Sequence, residues 1–207
     1  MASSIIHLAI AKEIAEKYNN IENKKDYYLG SIAPDISKQI GRKKEESHFS
    51  WNSPNDIPNI RLFKKRYPLF KYNPFELGYF IHLYTDKKWI ENFLPKIIEN
   101  NSIKLLDGTT IKTTEEEMTN MIYSDYTNLN IKVIEEYDLD LSLFYEDFTP
   151  PKTKIKEIPI NNLDILINKM GILIENSKEE KAYTFDIYPI KEFIQETVKE
   201  ILKELSS

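Results

Sequence analysis

The sequence contains no cysteine. That excludes disulfide stapling and any thiolate metal site, and it fits a reducing compartment. Histidine is nearly absent as well, with only His7, His48 and His82 in 207 residues. Basic residues are in deficit: 28 Lys and Arg stand against 33 Asp and Glu, for a net charge of −5. A general nucleic-acid binder shows the opposite balance, so no nucleic-acid partner is expected. The five glycines form no phosphate-binding loop, and there is no nucleophile-elbow motif. No uninterrupted apolar run approaches the roughly 20 residues of a membrane span. The first dozen residues lack the basic start of a signal peptide. These absences together predict a soluble, cytoplasmic protein with no transmembrane segment.

What is present is an ordinary globular composition, 41% hydrophobic and 12% aromatic, in a chain long enough for one sizeable core. No internal repeat or low-complexity segment divides it. The expectation is a single α-helical domain over residues 1–207.

Residues 73–89 organise the rest. Asn73 is a good N-cap, Pro74 suits the first helical position, and Glu76 follows three residues after the cap. At about 100° per residue, Phe75, Tyr79, His82, Asp86, Trp89 and Phe93 fall on one stripe, and the other faces are largely apolar too. The spacing predicts a helix buried on most sides. His82 and Asp86, four apart, project together. A buried imidazole and carboxylate need partners. They read either as a core hydrogen bond or as half of a metal site.

Upstream, Ser3 or Ser4 can cap a helix to about residue 18, with Ile6, Ile10, Ala11 and Ile14 on its inner face and His7 in its first turn. Asp26 can cap a short helical turn that stops at Gly30. Residues 30–35 read as an irregular bend in which Pro34 sets the direction of Asp35. Residues 39–46 read as a charged loop, leading to His48 between aromatics. Residues 57–72 interleave Arg61, Lys64, Lys65, Arg66 and Lys71 with aromatics, as a solvated face or a phosphate contact. Downstream, Pro95 ends the central helix or restarts it to residue 100. Asp107-Gly108 predicts a β-hairpin over 102–113. Thr114 and Glu117 form a capping box for a helix over 115–137, which carries Asp125. A helical turn over 138–148, an extended connector to 158, and amphipathic helices over 162–176 and 189–205 complete the chain.

In order, the ligand-type residues are His7, Asp35, His48, His82 and Asp86. Three imidazoles and two carboxylates can close one zinc or manganese site, or hold two ions with a shared carboxylate. Locally, Asp35 also reads as a turn or cap residue. Asp125 reads as an exposed helix residue, a substitute ligand, or a partner to a ligating imidazole.

The stretch Leu-Gly-Ser-Ile-Ala-Pro-Asp at 29–35, Ser47-His48-Phe49, and Glu-Leu-Gly-Tyr-Phe-Ile-His-Leu-Tyr-Thr-Asp at 76–86, after an early His7, resemble the zinc-dependent phospholipase C family. That family is similar in fold to single-strand nucleases. The resemblance spans about residues 5–89. It implies a mainly α fold with metal in a cleft between helices. It implies His7, Asp35, His48, His82 and Asp86 as metal ligands, and Asp35 as the candidate general base. Secreted members build a further zinc site from two later histidines and a glutamate, and no histidine follows His82 here. One or two ions are therefore implied: Zn2+, or another divalent transition metal such as Mn2+ or Fe2+. In the secreted members the mature N-terminal amine also binds zinc, a role that would fall here to Met1 or Ala2.

The implied function is metal-dependent hydrolysis of a phosphoester, phosphodiester favoured, on a small molecule or a lipid head group. The alternative is a non-catalytic helical metal-binding or scaffold module. A phosphohydrolase of the type defined by an adjacent His-Asp pair is disfavoured, because no histidine here precedes an aspartate.

Overall fold

The computed structural model describes residues 1–18, 21–51, 57–145, 147–175 and 182–206, without the side chains of 143, 144 and 172–175. The architecture is mainly α with a small antiparallel sheet. Ser3 caps α1 (Ser4–Lys17), accepting from the Ile6 amide, and Ile6, Ile10, Ala11 and Ile14 are buried.

α2 (Lys24–Ile32) starts at Asn23, whose side chain accepts from the Asp26 amide. It runs straight through Gly30, which corrects the reading of that glycine as a helix stop. The reason is tertiary. A Cβ on Gly30 would lie 2.2 Å from the Phe75 carbonyl oxygen, and one on Gly78 would lie 2.0 Å from that of Tyr27. Both glycines let α2 press backbone to backbone against α6 (Pro74–Lys88). That contact outweighs a propensity cost of about 1 kcal/mol per glycine.

The expected irregular bend is instead a 3-10 turn (Ala33–Asp35) followed directly by the short helix α3 (Ile36–Gln39). Within the expected charged loop lies one helical turn, α4 (Lys44–Ser47), with His48 as its C-cap. α5 (Ile60–Arg66) is capped by Asn59 and turns Phe63 inward.

α6 is the buried central helix that the spacing predicts. Asn73 accepts from the Glu76 amide, Pro74 leads, and Phe75, Tyr79, His82 and Asp86 are buried. Glu76 is buried too. It accepts from the Thr153 hydroxyl at 3.0 Å and the Lys154 amide at 2.8 Å, docking the extended connector. After α6 the helix widens into a π turn (Trp89–Phe93) and tightens into a 3-10 turn (Leu94–Lys96). Pro95 does not restart an α-helix. The chain forms β1 (Ile98–Glu99), which adds to the expected hairpin of β2 (Ser102–Lys104) and β3 (Thr110–Lys112). Gly108 takes the left-handed turn, with φ of 85°.

α7 (Glu115–Glu136) opens with the capping box of Thr114 and Glu117. The stretch after it tightens at a 3-10 turn (Ser142–Tyr145). α8 (Leu163–Glu175) follows, and Asn176, expected as its end, lies outside the described residues. α9 (Ile187–Ser206) buries Ile190, Phe193, Ile194, Val198 and Ile201, with Leu202 half-buried. Trp89 joins the two halves of the chain. Its ring stacks on Phe93 at 4.0 Å and meets Phe193 edge-on at 5.1 Å and Phe185 at 5.9 Å. Among the described residues, no helix is long and apolar enough to cross a membrane.

Adding a methyl group at the α2–α6 contact should be severe, because the obstacle is backbone. Gly30→Ala and Gly78→Ala should each lose at least about 3 kcal/mol in urea unfolding, at the upper end of overpacking costs. Gly171→Ala, with nothing within 4 Å of its added Cβ, should be neutral or stabilised by up to about 1 kcal/mol.

Candidate metal centre

Four elements converge on one buried point. α1 brings His7, the 3-10 turn after α2 brings Asp35, the end of α4 brings His48, and α6 brings His82 and Asp86. Asp86 is the hub. Its Oδ1 lies 3.3 Å from His7 Nε2, and its Oδ2 lies 3.4 Å from His82 Nε2 and 3.6 Å from His48 Nε2. Asp35 Oδ1 is 3.6 Å from His48 Nε2. The His7 and His82 rings stack at 3.9 Å. All five residues expected from the sequence are therefore together. Their ligand atoms form two compact groups, His7–Asp35–His82 and His48–His82–Asp86.

Local structure aims each ring. His82 Nδ1 lies 2.8 Å from the Ser31 carbonyl, so its N–H points there and Nε2 faces inward. The Ser47 hydroxyl donates to the Lys44 carbonyl at 3.2 Å, which leaves its oxygen to accept from His48 Nδ1 at 2.9 Å. His48 Nε2 therefore also faces inward, 3.3 Å from His82 Nε2. The residue after His48, Phe49, adopts a left-handed backbone with φ of 54°. This costs about 1–3 kcal/mol for a bulky residue. It turns the chain sharply, so that His48 enters the cluster while Phe49 packs edge-on against Phe63 at 5.3 Å.

The chemistry of this donor set fits a divalent cation. Among the described residues, both ring nitrogens of His7, and Asp86 Oδ2, are buried without a hydrogen-bond partner. Asp86 Oδ1 accepts from the Ala2 amide at 3.1 Å. Buried polar atoms left this way are costly unless something binds them. Imidazole nitrogen and carboxylate oxygen suit zinc and its neighbours. The electrostatics agree. Burial, together with the nearby His82, pushes His7 down to about 4 against the pull of Asp86, so this ring is neutral and its lone pair is free at pH 7. For His82, burial opposes the charged form, but the adjacent Asp86 carboxylate, then Asp35, outweigh it and raise the pKa. Burial would raise Asp86, yet His7 and His82 hold its carboxyl well below the usual range. A field that draws a proton onto a buried imidazole draws a metal ion in the same way, with release of the proton.

Residues 6–87 match the family model described as zinc dependent phospholipase C. The matched segment is that of the zinc dependent phospholipase C family. Every one of the five clustered side chains lies within it. No curated protein and no solved structure matches the chain.

Two features around the cluster depart from the sequence reading. Asp125 is buried rather than exposed, and it is no partner of the cluster. It accepts from the amides of Tyr183, Thr184 and Phe185 and from the Thr184 hydroxyl, pinning that turn to α7. The cations of 61–71 do not flank His48. Lys64 pairs with Glu204, Arg66 with Glu157, and Lys71 donates to the Leu205 carbonyl. They read as a solvated face tied to the C-terminal half. The lysines nearest the cluster are Lys44, 4.0 Å from Asp35 Oδ1, and Lys38, which shares a cavity with Asp35. The sequence did hold a signal for them: they lie in the short stretch between two ligand-type residues, Asp35 and His48.

Asp86→Asn should strip metal from the purified protein, measured by elemental analysis. Asp125→Asn should retain it within the about 10–100-fold window of indirect effects, while losing about 1–3 kcal/mol of unfolding free energy. Equal metal loss in both variants would place Asp125 at the metal.

Proposed function

We propose that the chain is a metal-dependent phosphoester hydrolase, phosphodiester favoured, organised as one helical domain over residues 1–207. The observation that carries this reading is the convergence of His7, Asp35, His48, His82 and Asp86, with unpartnered buried donor atoms, inside the segment matched by the family. These five residues would hold one or two ions, zinc or a similar divalent metal. A metal there supplies Lewis acidity towards water and a phosphoryl oxygen.

The chain's own groups divide the remaining work. Asp86 lies at 0% exposure and is surrounded by imidazoles, so it serves as anchor. Asp35 keeps 16% exposure and lines a cavity of about 360 Å3, so it is the carboxylate that reaches substrate and takes the proton of the attacking water. Burial would raise Asp35, but the neighbouring His48 and His82 outweigh it and keep it ionised, as a base must be. His48 and His82 are held as Nε2 donors by Ser47 and Ser31. The substrate is a small-molecule or lipid-head-group phosphoester.

The test is hydrolysis of bis(p-nitrophenyl) phosphate, a short-chain phosphatidylcholine and a wider phosphoester panel, with added zinc or manganese. Asp35→Asn should lose activity by about 100-fold or more while still binding metal, as expected for loss of a general base. If no ester in the panel is cleaved above that variant, the chain is a metal-binding module rather than an enzyme.

A further inference from the structure

Two cavities open beside the cluster, and Lys44 borders both. One is lined by Asp35, Lys38, Lys44, Tyr123 and Asn130. The other, of about 510 Å3, is lined by His48, Ser50, Lys44 and Glu115 as its polar side chains and by Ile90, Leu94 and Ile98 along an apolar wall. We infer that Lys44 binds the substrate phosphate, and that Lys38 beside it makes the cleft select a phosphoester whose alcohol carries no positive charge. The inference takes the location of the reacting phosphate from the hydrolase reading. It goes beyond that reading in assigning two lysines and a charge preference.

The ammonium of Lys44 has three donors and little to spend them on. Among the described residues, Asp35 Oδ1 is at the long distance of 4.0 Å and the Met1 sulfur at 3.6 Å. A lysine placed this way meets a phosphate as a point charge. Ser50 adds an independent sign. Its hydroxyl is buried without a hydrogen-bond partner among the described residues and borders the same cavity as Lys44 and His48. A phosphate oxygen between them would satisfy it.

Lys38 sets the preference. Its ammonium donates to the Tyr123 hydroxyl at 2.7 Å and sits 4.7 Å over that ring. A cationic head group is recognised by carboxylates or by an open aromatic face. Here the exposed aromatic face, Tyr123, is already covered by a lysine, and Asp35 is the carboxylate of that cavity. Two ammonium groups therefore line the cavity that Asp35 borders, and Lys44 is matched by Glu115 only in the other one.

The experiment is calorimetric titration of the zinc-loaded protein with inorganic phosphate, sn-glycerol 3-phosphate and phosphocholine. Wild type should bind glycerol 3-phosphate at least about fivefold more tightly than phosphocholine, since like charges repel at short range. Lys44→Met should weaken inorganic phosphate binding about 10-fold or more, the usual loss of a charged hydrogen bond, and Lys44→Arg should restore most of it. Lys38→Met should narrow the gap between the two esters. Metal content and thermal midpoint should stay at wild-type values, and Lys44→Gln replaces Lys44→Met if the latter is poorly folded. Wild-type phosphate affinity in Lys44→Met, or equal binding of the two esters by wild type, overturns the inference. If the protein binds no metal, the hydrolase reading falls alone: the same comparison on the metal-free protein still decides the lysines, with Lys44 dependence supporting them and its absence overturning them.

Discussion

The backbone contact between α2 and α6 is the constraint on which the candidate site depends. Gly30 and Gly78 remove the only atoms that would hold the two helices apart. The resulting approach puts the Ser31 carbonyl 2.8 Å from His82 Nδ1. That bond decides which nitrogen of His82 faces the cluster. The same approach directs the end of α2 into the turn that carries Asp35. A wider spacing between the helices would lose the orientation of one ligand and the placement of another together. Backbone atoms are used here because they cannot change rotamer.

A second constraint is charge. Asp86 is fully buried, and no lysine or arginine forms an ion pair with it among the described residues. Three imidazoles and one amide surround it instead. Imidazoles are poor permanent counter-ions, since their charge depends on a proton near neutral pH. The arrangement therefore favours a cation at its centre, and a metal bound there would displace protons. A guanidinium in the same place would have made a satisfied, inert core.

Much of this was legible in the sequence, for physical reasons that differ between residues. The central helix announced itself through an N-cap, a proline at its first position and a stripe that left no polar face. His7, Asp35, His48, His82 and Asp86 stood out because histidine is scarce and because their surroundings resemble a known family. Gly30 was misread because a helix-ending glycine and a helix-contact glycine look alike until the partner helix is in place. Asp125 was misread because its partners are backbone amides some sixty positions downstream, beyond the reach of any periodicity. The cations of 61–71 invited a functional reading by their number alone, while Lys44, a single residue in a charged run, faces the cluster.

The indole of Trp89 lies one turn beyond Asp86 and outside the segment matched by the family, with its ring against side chains of α7, α9 and the turn before α9. The central helix is thus bolted, immediately after Asp86, to parts of the chain that carry none of the five clustered residues. Portability is the property this removes. A fragment that ends with this helix and keeps Trp89 would expose the aromatic face that the later segments now cover. Tyr126 of α7, Phe185 of the turn before α9 and Phe193 of α9 supply the shape that holds that ring.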